Sequence, residues 1–391
     1  MPLEIGANAR HRLGMPPARF LRDYWQKRPL LIRHAFPDFT PPLSPDDLAG
    51  LACMDGALAR IVLHDAKRDR WTLRSGPFDD AAFAKLPKSR WTVLVQDVDK
   101  WDADTAALLA PFDFIPSWRI DDVMISYAVD GGGVGAHVDQ YDVFLLQGMG
   151  QRRWSIDTRP NPPNAFREDV ELKLLREFNP THTWTLGPGD MLYLPPGVPH
   201  DGVAVGECMT FSIGMRAPSK AELLVVLAEQ VATALPDSQR YADSGLRPAT
   251  ATGEIDAAAL RRARDALEPV ARMLDPQAFA DFFGRFVTAY RGVGKTAARK
   301  RAVRPAALDE ALARSRFHRN PWSRCAWRRA KRGAMLYVAG EQYACALVWA
   351  RALCGDAATE GARLAALPAR REGVTLLAEL INAGHLVWKH R

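Results

Sequence analysis

His137 and Asp139 stand one residue apart in GGGVGAHVDQYDVF (131–144), and a further histidine, His200, ends the stretch GDMLYLPPGVPH. On an extended strand alternate residues share a face, so His137 and Asp139 are expected to point the same way. An imidazole nitrogen and a carboxylate oxygen can then reach one ion. The third ligand has to come from a neighbouring strand. His200 suits that place, because a short strand predicted at Met191–Leu194 runs into a proline-stiffened loop that ends on it. Two histidines and one carboxylate on one face form the facial triad that leaves three positions of an Fe(II) ion open, whereas zinc more often takes a closed ligand set. H-x-D alone is weak, and so is the strand-and-turn. Their joint occurrence in one strand-rich segment is much stronger. The remaining histidines, His11, His34, His64, His182, His318, His385 and His390, sit in no comparable setting. The glycines of GGGVGAH do not make a dinucleotide fingerprint, because the spacing is wrong and a strand is expected to follow. They predict a tight turn and a close backbone pass beside a ligand, at one wall of the site's mouth.

The elements that must position these residues are short β-branched and aromatic runs. RIVLH, WTVLVQDV, VMISYAV, YDVFLLQGM, RRWSI, THTWTL, DMLYLP and MTFSIGM fall within residues 1–217, punctuated by Gly, Pro and Asp. No regular helix alternates with them, which argues against a doubly wound sheet and for an antiparallel sandwich or jelly roll. PARFLRDYWQKRPLLIRHAFP reads as a helix running into a first strand. The pattern changes at Pro218. Ser219 and Glu222 form a capping box, and Leu223, Leu227, Val231 and Leu235 recur every four positions. A second helix is expected in IDAAALRRARDALEPVARML, and a third carries Phe279, Phe282, Phe283, Phe286 and Tyr290 on one face. Residues 218–294 are therefore expected to be helical and to pack on the β-domain or on a second copy of the chain. Residues 295–391 are expected as a basic linker and a winged-helix-like domain. In it AMLYVAG is a strand, QYACALVWARAL a helix, and GVTLLAELINAGHLVWKH a helix, a Gly384 stop and a strand. LLAELINAG contains no Lys or Arg, which counts against DNA reading by this module. The fold class is α+β.

Composition narrows the classes. Hydrophobic residues are 48% and charged residues 25% of the 391, as in a packed globular chain of two or three domains. The five cysteines are odd in number and contain no C-x-x-C, which argues against a disulfide framework or a zinc ribbon and for a reducing compartment. The N-terminus has no apolar h-region, and the longest apolar run, LLVVLAEQVATAL, is broken by Glu229 and Gln230. A cytoplasmic protein with no membrane segment is expected. The net charge of +7 is uneven: Lys295 to Arg332 holds 13 Lys and Arg against Asp309 and Glu310, or +11, leaving −4 for the rest. Such a run is more often a solvated surface, although phosphate attraction needs no sequence code.

DDVMISYAVDGGGVGAHVDQYDVFLLQGMGQRRW, GDMLYLPPGVPHDG and FSIGMRAP resemble the cupin-type JmjC ribosomal oxygenases, and among them the bacterial arginine hydroxylases of a large-subunit ribosomal protein. The order of parts is similar too: a double-stranded β-helix JmjC domain (1–217), a helical dimerisation segment (218–294) and a winged-helix-like end (295–391). The resemblance implies a dioxygenase with Fe(II) on His137, Asp139 and His200, and with 2-oxoglutarate and O2 as cosubstrates. It would release succinate and CO2 as it hydroxylates an arginine side chain of the ribosomal protein. The distal carboxylate of 2-oxoglutarate needs a cation, which GQRRW offers twice. Adjacent residues on a strand face opposite ways, so only one arginine can point inward. The family pattern places the role on Arg152, assisted by Ser126.

Asp122, Met124 and Ser126 share strand parity, so if Ser126 points inward the other two do as well. An inward carboxylate is costly without a cation. A substrate arginine would satisfy Asp122, with Met124 and Tyr141 along its aliphatic stem and a hydrogen bond from Ser212. The alternative is that Asp122 pairs with Arg119 and that Tyr141 is ordinary core. Two rival functions share the motifs. One is another JmjC activity: hydroxylation of His or Asn, or demethylation of methyl-lysine. The other is a non-catalytic cupin-type binding protein with a nucleic-acid-binding tail, against which the intact H-x-D…H set argues. Nucleic-acid contact is compatible with the main reading but not required by it. The aromatic face of the third helix predicts a homodimer through the helical segment.

Overall fold

The short apolar runs of the first 217 residues become one large sheet, seen in a computed structural model that describes residues 3–249, 251–290, 296–355 and 358–390. Its strands and the helices between them are β1 (Glu4–Gly6), α1 (Pro17–Asp23), β2 (Leu30–Arg33), α2 (Pro45–Cys53), β3 (Ala59–Asp65), β4 (Arg70–Ser75), α3 (Asp80–Ala84) and β5 (Trp91–Val95). They continue as α4 (Val98–Trp101), α5 (Ala103–Ala107), β6 (Ile120–Ala128), β7 (Asp142–Ile156), β8 (His182–Leu186), β9 (Met191–Leu194) and β10 (His200–Met215). The order across the sheet is β1-β2-β9-β7-β10-β6-β5-β3-β4, with β8 on β7. The pairs are antiparallel except β1 with β2, as a jelly roll requires.

The two faces bury different things. Val123 and Ile125 of β6, Phe144 and Leu146 of β7, Tyr193 of β9 and Phe211 and Ile213 of β10 join one apolar cluster. Phe20 of α1 plugs it, with its ring 4.9 Å from Tyr193 and 5.7 Å from Phe144. The opposite face carries a smaller cluster of Val143, Leu145, Trp154, Ile156, Leu186, Leu192 and Leu194. Odd-numbered residues of β7 lie in this second cluster before Gly148 and even-numbered ones after Gly150. The register with β10 shifts between Val205 and Met209 and again at Thr210, so a β-bulge exchanges the faces halfway along the strand.

Several expectations change. The stretch around His137 is not a strand. It is a loop that touches β10 through an isolated antiparallel bridge between His137 and His200. RRWSI and YDVFLLQGM are one strand, β7, and RWTLRS forms β4, for which no expectation was made.

The chain divides at Pro218 into two compact units, 1–217 and 218–391. The second contains α6 (Lys220–Ala234), α7 (Ala257–Asp265), α8 (Glu268–Met273), α9 (Pro276–Thr288), α10 (Pro305–Ala311), β11 (Ser315–Arg319), β12 (Cys325–Arg329), β13 (Ala334–Val338) and β14 (Glu341–Cys345). α11 (Leu347–Cys354), β15 (Ala358–Glu360), α12 (Gly361–Ala365), α13 (Arg370–Asn382) and β16 (Leu386–His390) follow. The capping box at Ser219 is present, and Gly384 turns the chain out of α13 at φ +83°. The expected second helix is two, α7 and α8, because Pro269 forces a new helix start. QYACALVWARAL is not one helix: Glu341–Cys345 pairs with β13, and the helix begins at Leu347. The basic stretch is not a linker where it is described, since it supplies α10, β11 and β12. The expected boundary at 294/295 lies outside the described residues.

Most of the aromatic face of α9 is covered within the C-terminal unit, with Phe279 left exposed and Phe283 half-buried. Phe282, Phe286 and Tyr290 are buried, and α9 packs on β12, β13 and β14 of its own unit. Gly284 lies so close to the Tyr337 ring that a Cβ there would stand 2.4 Å from it. Asp281 accepts hydrogen bonds from Arg328 Nη2 at 2.6 Å and from the Tyr337 hydroxyl at 2.7 Å. Phe282, Phe286 and Tyr290 are thus core of the C-terminal unit. Phe282→Ala should cost about 3–5 kcal/mol, the usual loss for a buried Phe cut to Ala, read as a lower urea midpoint of that unit. An unchanged midpoint would contradict the packing described.

Candidate metal centre

The three proposed ligands meet where β10 begins. His137 and His200 exchange backbone hydrogen bonds, N–H to O, at 3.0 Å in each direction. The next turn is fastened by the Gly197 N–H, which donates to the Asp139 carbonyl at 2.8 Å. Asp139 Oδ2 lies 3.9 Å from His137 Nε2 and 3.7 Å from His200 Nε2. One ligand atom from each residue lies within 4.8 Å of the others, the only such group of three among the described residues.

The glycines beside the motif have a backbone reason. A Cβ at Gly132 would stand 2.3 Å from the Trp91 carbonyl oxygen, and one at Gly133 2.6 Å from that of Gly202. The bare backbone is needed to thread between β5 and β10 rather than to pass a ligand. Gly135 adds a positive φ of +78°.

Both imidazoles are pre-set for one ion. His137 Nδ1 lies 2.9 Å from the Gly135 carbonyl and His200 Nδ1 2.9 Å from that of Val198. A proton held on each Nδ1 leaves the Nε2 lone pairs facing Asp139. Burial, and after it the neighbouring His137, push the His200 pKa down to about 4, so its ring is neutral and able to ligate at neutral pH. The donor set of two imidazole nitrogens and one carboxylate fits a non-haem Fe(II) site with open positions.

Arg152 lies on the same face, beyond Trp154. Its guanidinium is 5.7 Å from the Trp154 ring, which is 5.9 Å from the His200 ring. Arg152 is 3% exposed and its Nε donates to Cys208 Sγ at 3.5 Å. Its Nη2 and the Trp154 Nε1 are buried with no partner in the protein. Two orphaned donors beside a metal triad fit a bound carboxylate, because an unsatisfied buried donor costs about 1–3 kcal/mol. Arg153 points out and is exposed. Ser126, 3% exposed, lies on the same face opposite Thr210.

Of the proposed substrate residues, Asp122, Met124 and Ser212 lie on the same face of β6 and β10, and Tyr141 immediately precedes β7. Met124 is half-buried opposite Ser212, which is 8% exposed. Asp122 is buried, and one of its oxygens accepts the Asp97 N–H at 3.0 Å. Burial first, then the charges of Asp121 and Asp97, push its pKa up to about 7. Arg119 pairs with Asp142 and donates to the Arg216 carbonyl. Tyr141 is not core: the residue is 42% exposed, although desolvation acts on its hydroxyl. That desolvation, with Asp139 and then Asp122 nearby, raises its pKa well above the usual phenol range.

Trp154 and Cys208 were not anticipated from sequence. Trp154 shares strand parity with Arg152 in GQRRW, which could have singled it out. Cys208 carried no local signal, since it is brought to Arg152 only by the pairing of β10 with β7.

Known proteins resemble this chain in sequence and in fold. A JmjC domain model matches residues 107–223, and a ROXA-like winged helix model matches 271–387. The chain is 37% identical over 279 residues to the ribosomal protein uL16 3-hydroxylase of Escherichia coli, covering 70% of this chain and 71% of that one. It is 39% identical over 209 residues to a probable ribosomal oxygenase of Haemophilus influenzae, covering 53% of this chain and 51% of the relative. The X-ray structure of E. coli ycfD superposes with a TM-score of 0.83 at 31% identity, covering 96% of this chain and 98% of that one. A structure of the E. coli ribosomal oxygenase YcfD in complex with cobalt and 2-oxoglutarate superposes at 0.80, with 31% identity and the same coverage. With 37% identity covering about seven-tenths of both chains, and with the JmjC and winged-helix models both matched, the chain belongs to the JmjC-domain ribosomal oxygenases.

Proposed function

We propose that this chain is an Fe(II)- and 2-oxoglutarate-dependent hydroxylase of an arginine side chain in a large-subunit ribosomal protein. The observation that carries the reading is the pairing of the open triad with the partnerless buried Nη2 of Arg152 on one interior face. The E. coli relative named for uL16 hydroxylation supports the substrate class. A metal held on the triad would, with 2-oxoglutarate and O2, supply the oxidation that places one oxygen atom in succinate as CO2 leaves and the other in a substrate C–H bond.

This chain's residues do the holding. His137, Asp139 and His200 fix one side of the ion and leave the other open. Arg152 grips the distal carboxylate of 2-oxoglutarate, with Trp154 Nε1 and Ser126 on the same strip. The apolar residues Leu145, Leu186 and Leu192 keep that strip dry and so strengthen the ion pair. Asp122, near neutrality in the free protein, ionises when a guanidinium enters. Met124, Tyr141 and Ser212 line the approach.

The helices before α9 supply the homodimer surface in this reading. Leu224, Val225, Ile255, Leu260, Leu267 and Leu274 are 54–74% exposed, apolar side chains that a second copy of the chain would cover. No helix among the described residues is long and apolar enough to cross a membrane. A ribosomal substrate puts the reaction in the cytoplasm.

Incubating the protein with whole ribosomal protein, Fe(II), O2 and 2-oxoglutarate should add one oxygen to an arginine of the substrate, seen by peptide mass spectrometry. Loss of a methyl group from lysine, or oxygen on His or Asn, would replace this reading with another JmjC activity. Arg152→Ala should raise the 2-oxoglutarate KM by about tenfold or more, as expected for losing a charge-assisted hydrogen bond, while Arg153→Ala leaves it unchanged. The reverse pattern would move the role to Arg153. In sedimentation, Leu224→Asp with Leu267→Asp should turn a dimer into a monomer. A double variant that stays dimeric would put the interface elsewhere.

A further inference from the structure

Residues 157–181 join β7 to β8, and the mechanism above uses none of them. They fold into a narrow strap. Phe166 and Leu175 form an antiparallel bridge, the Arg167 N–H donates to the Leu174 carbonyl at 2.8 Å, and the Arg176 N–H to that of Ala165 at 2.8 Å. Leu174 and Leu175 are buried although they lie in a connection.

The strap reaches the metal loop at one end. The Leu175 N–H donates to the Ala136 carbonyl at 2.9 Å. A Cβ at Gly135 would lie 2.8 Å from Leu174 Cδ2 and 3.1 Å from the Trp71 ring of β4. The two side chains thus close on the residue whose carbonyl orients His137 Nδ1 at 2.9 Å. The strap is tied down on its opposite strand, directly across from Leu174. Arg167 Nη1 donates to Asp69 Oδ2 at 2.7 Å and Nη2 to the Asp69 carbonyl at 3.2 Å, in the turn between β3 and β4. Its remaining donors engage Asp169 at 3.0 and 2.7 Å. His64 lies 3.3 Å from Asp69 and stacks on Trp71 at 4.0 Å.

We propose that this strap is a positioning device for the first metal ligand, with Arg167 and Asp69 as its latch. The latch fixes the strap to the β3–β4 turn. Leu174 and Trp71 then clamp Gly135, Leu175 holds Ala136, and His137 presents Nε2 at the angle that Asp139 and His200 require. An ordinary surface ion pair would contribute little. Arg167 differs in being only 20% exposed and in spending its planar fork on two carboxylates and a carbonyl at once. Outer contacts that set a ligand's orientation are commonly worth 10–100-fold in metal affinity.

The inference rests on reading the triad as a metal site, and one titration separates the two. Co(II) is added to the metal-free full chain and followed by its visible absorption, for the unaltered protein, His137→Ala, Arg167→Ala and Arg167→Lys. Binding by the unaltered protein that His137→Ala abolishes supports the triad. With that in place, Arg167→Ala should weaken Co(II) binding about tenfold, Arg167→Lys should recover part of it, and the melting temperature of the metal-free Arg167→Ala protein should stay near that of the unaltered one. If the unaltered protein binds no Co(II), the triad reading falls and the strap's role with it. If Arg167→Ala binds Co(II) as the unaltered protein does, the strap alone is refuted. Equal losses of affinity and of metal-free stability, with no recovery by Lys, would mark Arg167 as merely structural and refute it too.

Discussion

The reciprocal backbone pair between His137 and His200 is the contact on which the site depends. It joins a loop to the first residue of β10 through two hydrogen bonds of 3.0 Å. It sets the H-x-D segment in register with the strand that carries the third ligand, and backbone bonds of Gly131 and Gly132 with Ala204 extend that register along the loop. The contact also explains the sequence around it. Residues 129–141 must run between β5 and β10 without side chains at Gly132 and Gly133, because carbonyl oxygens already occupy that space. The bareness of the backbone is thus a packing requirement, and the metal geometry follows from it.

The sheet separates stability from chemistry by giving each a face. One side is an apolar cluster that α1 closes with Phe20. The other mixes leucines with His200, Arg152, Ser126 and Asp122, all of them buried. Burying such groups is unfavourable unless each finds a partner. The protein supplies some of these partners, such as the Val198 carbonyl for His200 and the Asp97 N–H for Asp122. It leaves others open at Arg152 and Trp154. A buried donor without a protein partner calls for an explanation, and beside the triad a ligand carboxylate supplies one.

The C-terminal unit makes the contrast from the other side. Its aromatic stripe on α9 is large enough to suggest an interface, yet β12 to β14 cover Phe282, Phe286 and Tyr290. What stays uncovered is Phe279 and a set of mostly aliphatic side chains on and between α6, α7 and α8, such as Leu224, Val225, Ile255 and Leu260. Aromatic residues concentrate apolar area, so a fold with a small sheet to shield spends them there first. The basic stretch shows the same economy: Arg328, in the most cationic part of the chain, holds Asp281 and Tyr337 instead of facing a partner.

Residue type and local spacing determined part of this on their own. The triad could be named because two imidazoles and a carboxylate at those positions have few other uses together. Met191–Leu194, the cap at Ser219 and the stop at Gly384 could be placed because each depends on neighbours within a few residues. Which arginine faces inward could not be read that way. Strict alternation from Leu145 would have turned Arg153 inward, and it is the bulge between Gly148 and Gly150 that brings Arg152 in instead. The strap against Gly135, Cys208 beside Arg152 and the cover over α9 were likewise decided by tertiary structure. Each is a contact between residues far apart in the chain, set by sheet register and packing, and a local periodicity of two or of 3.6 carries no information about either.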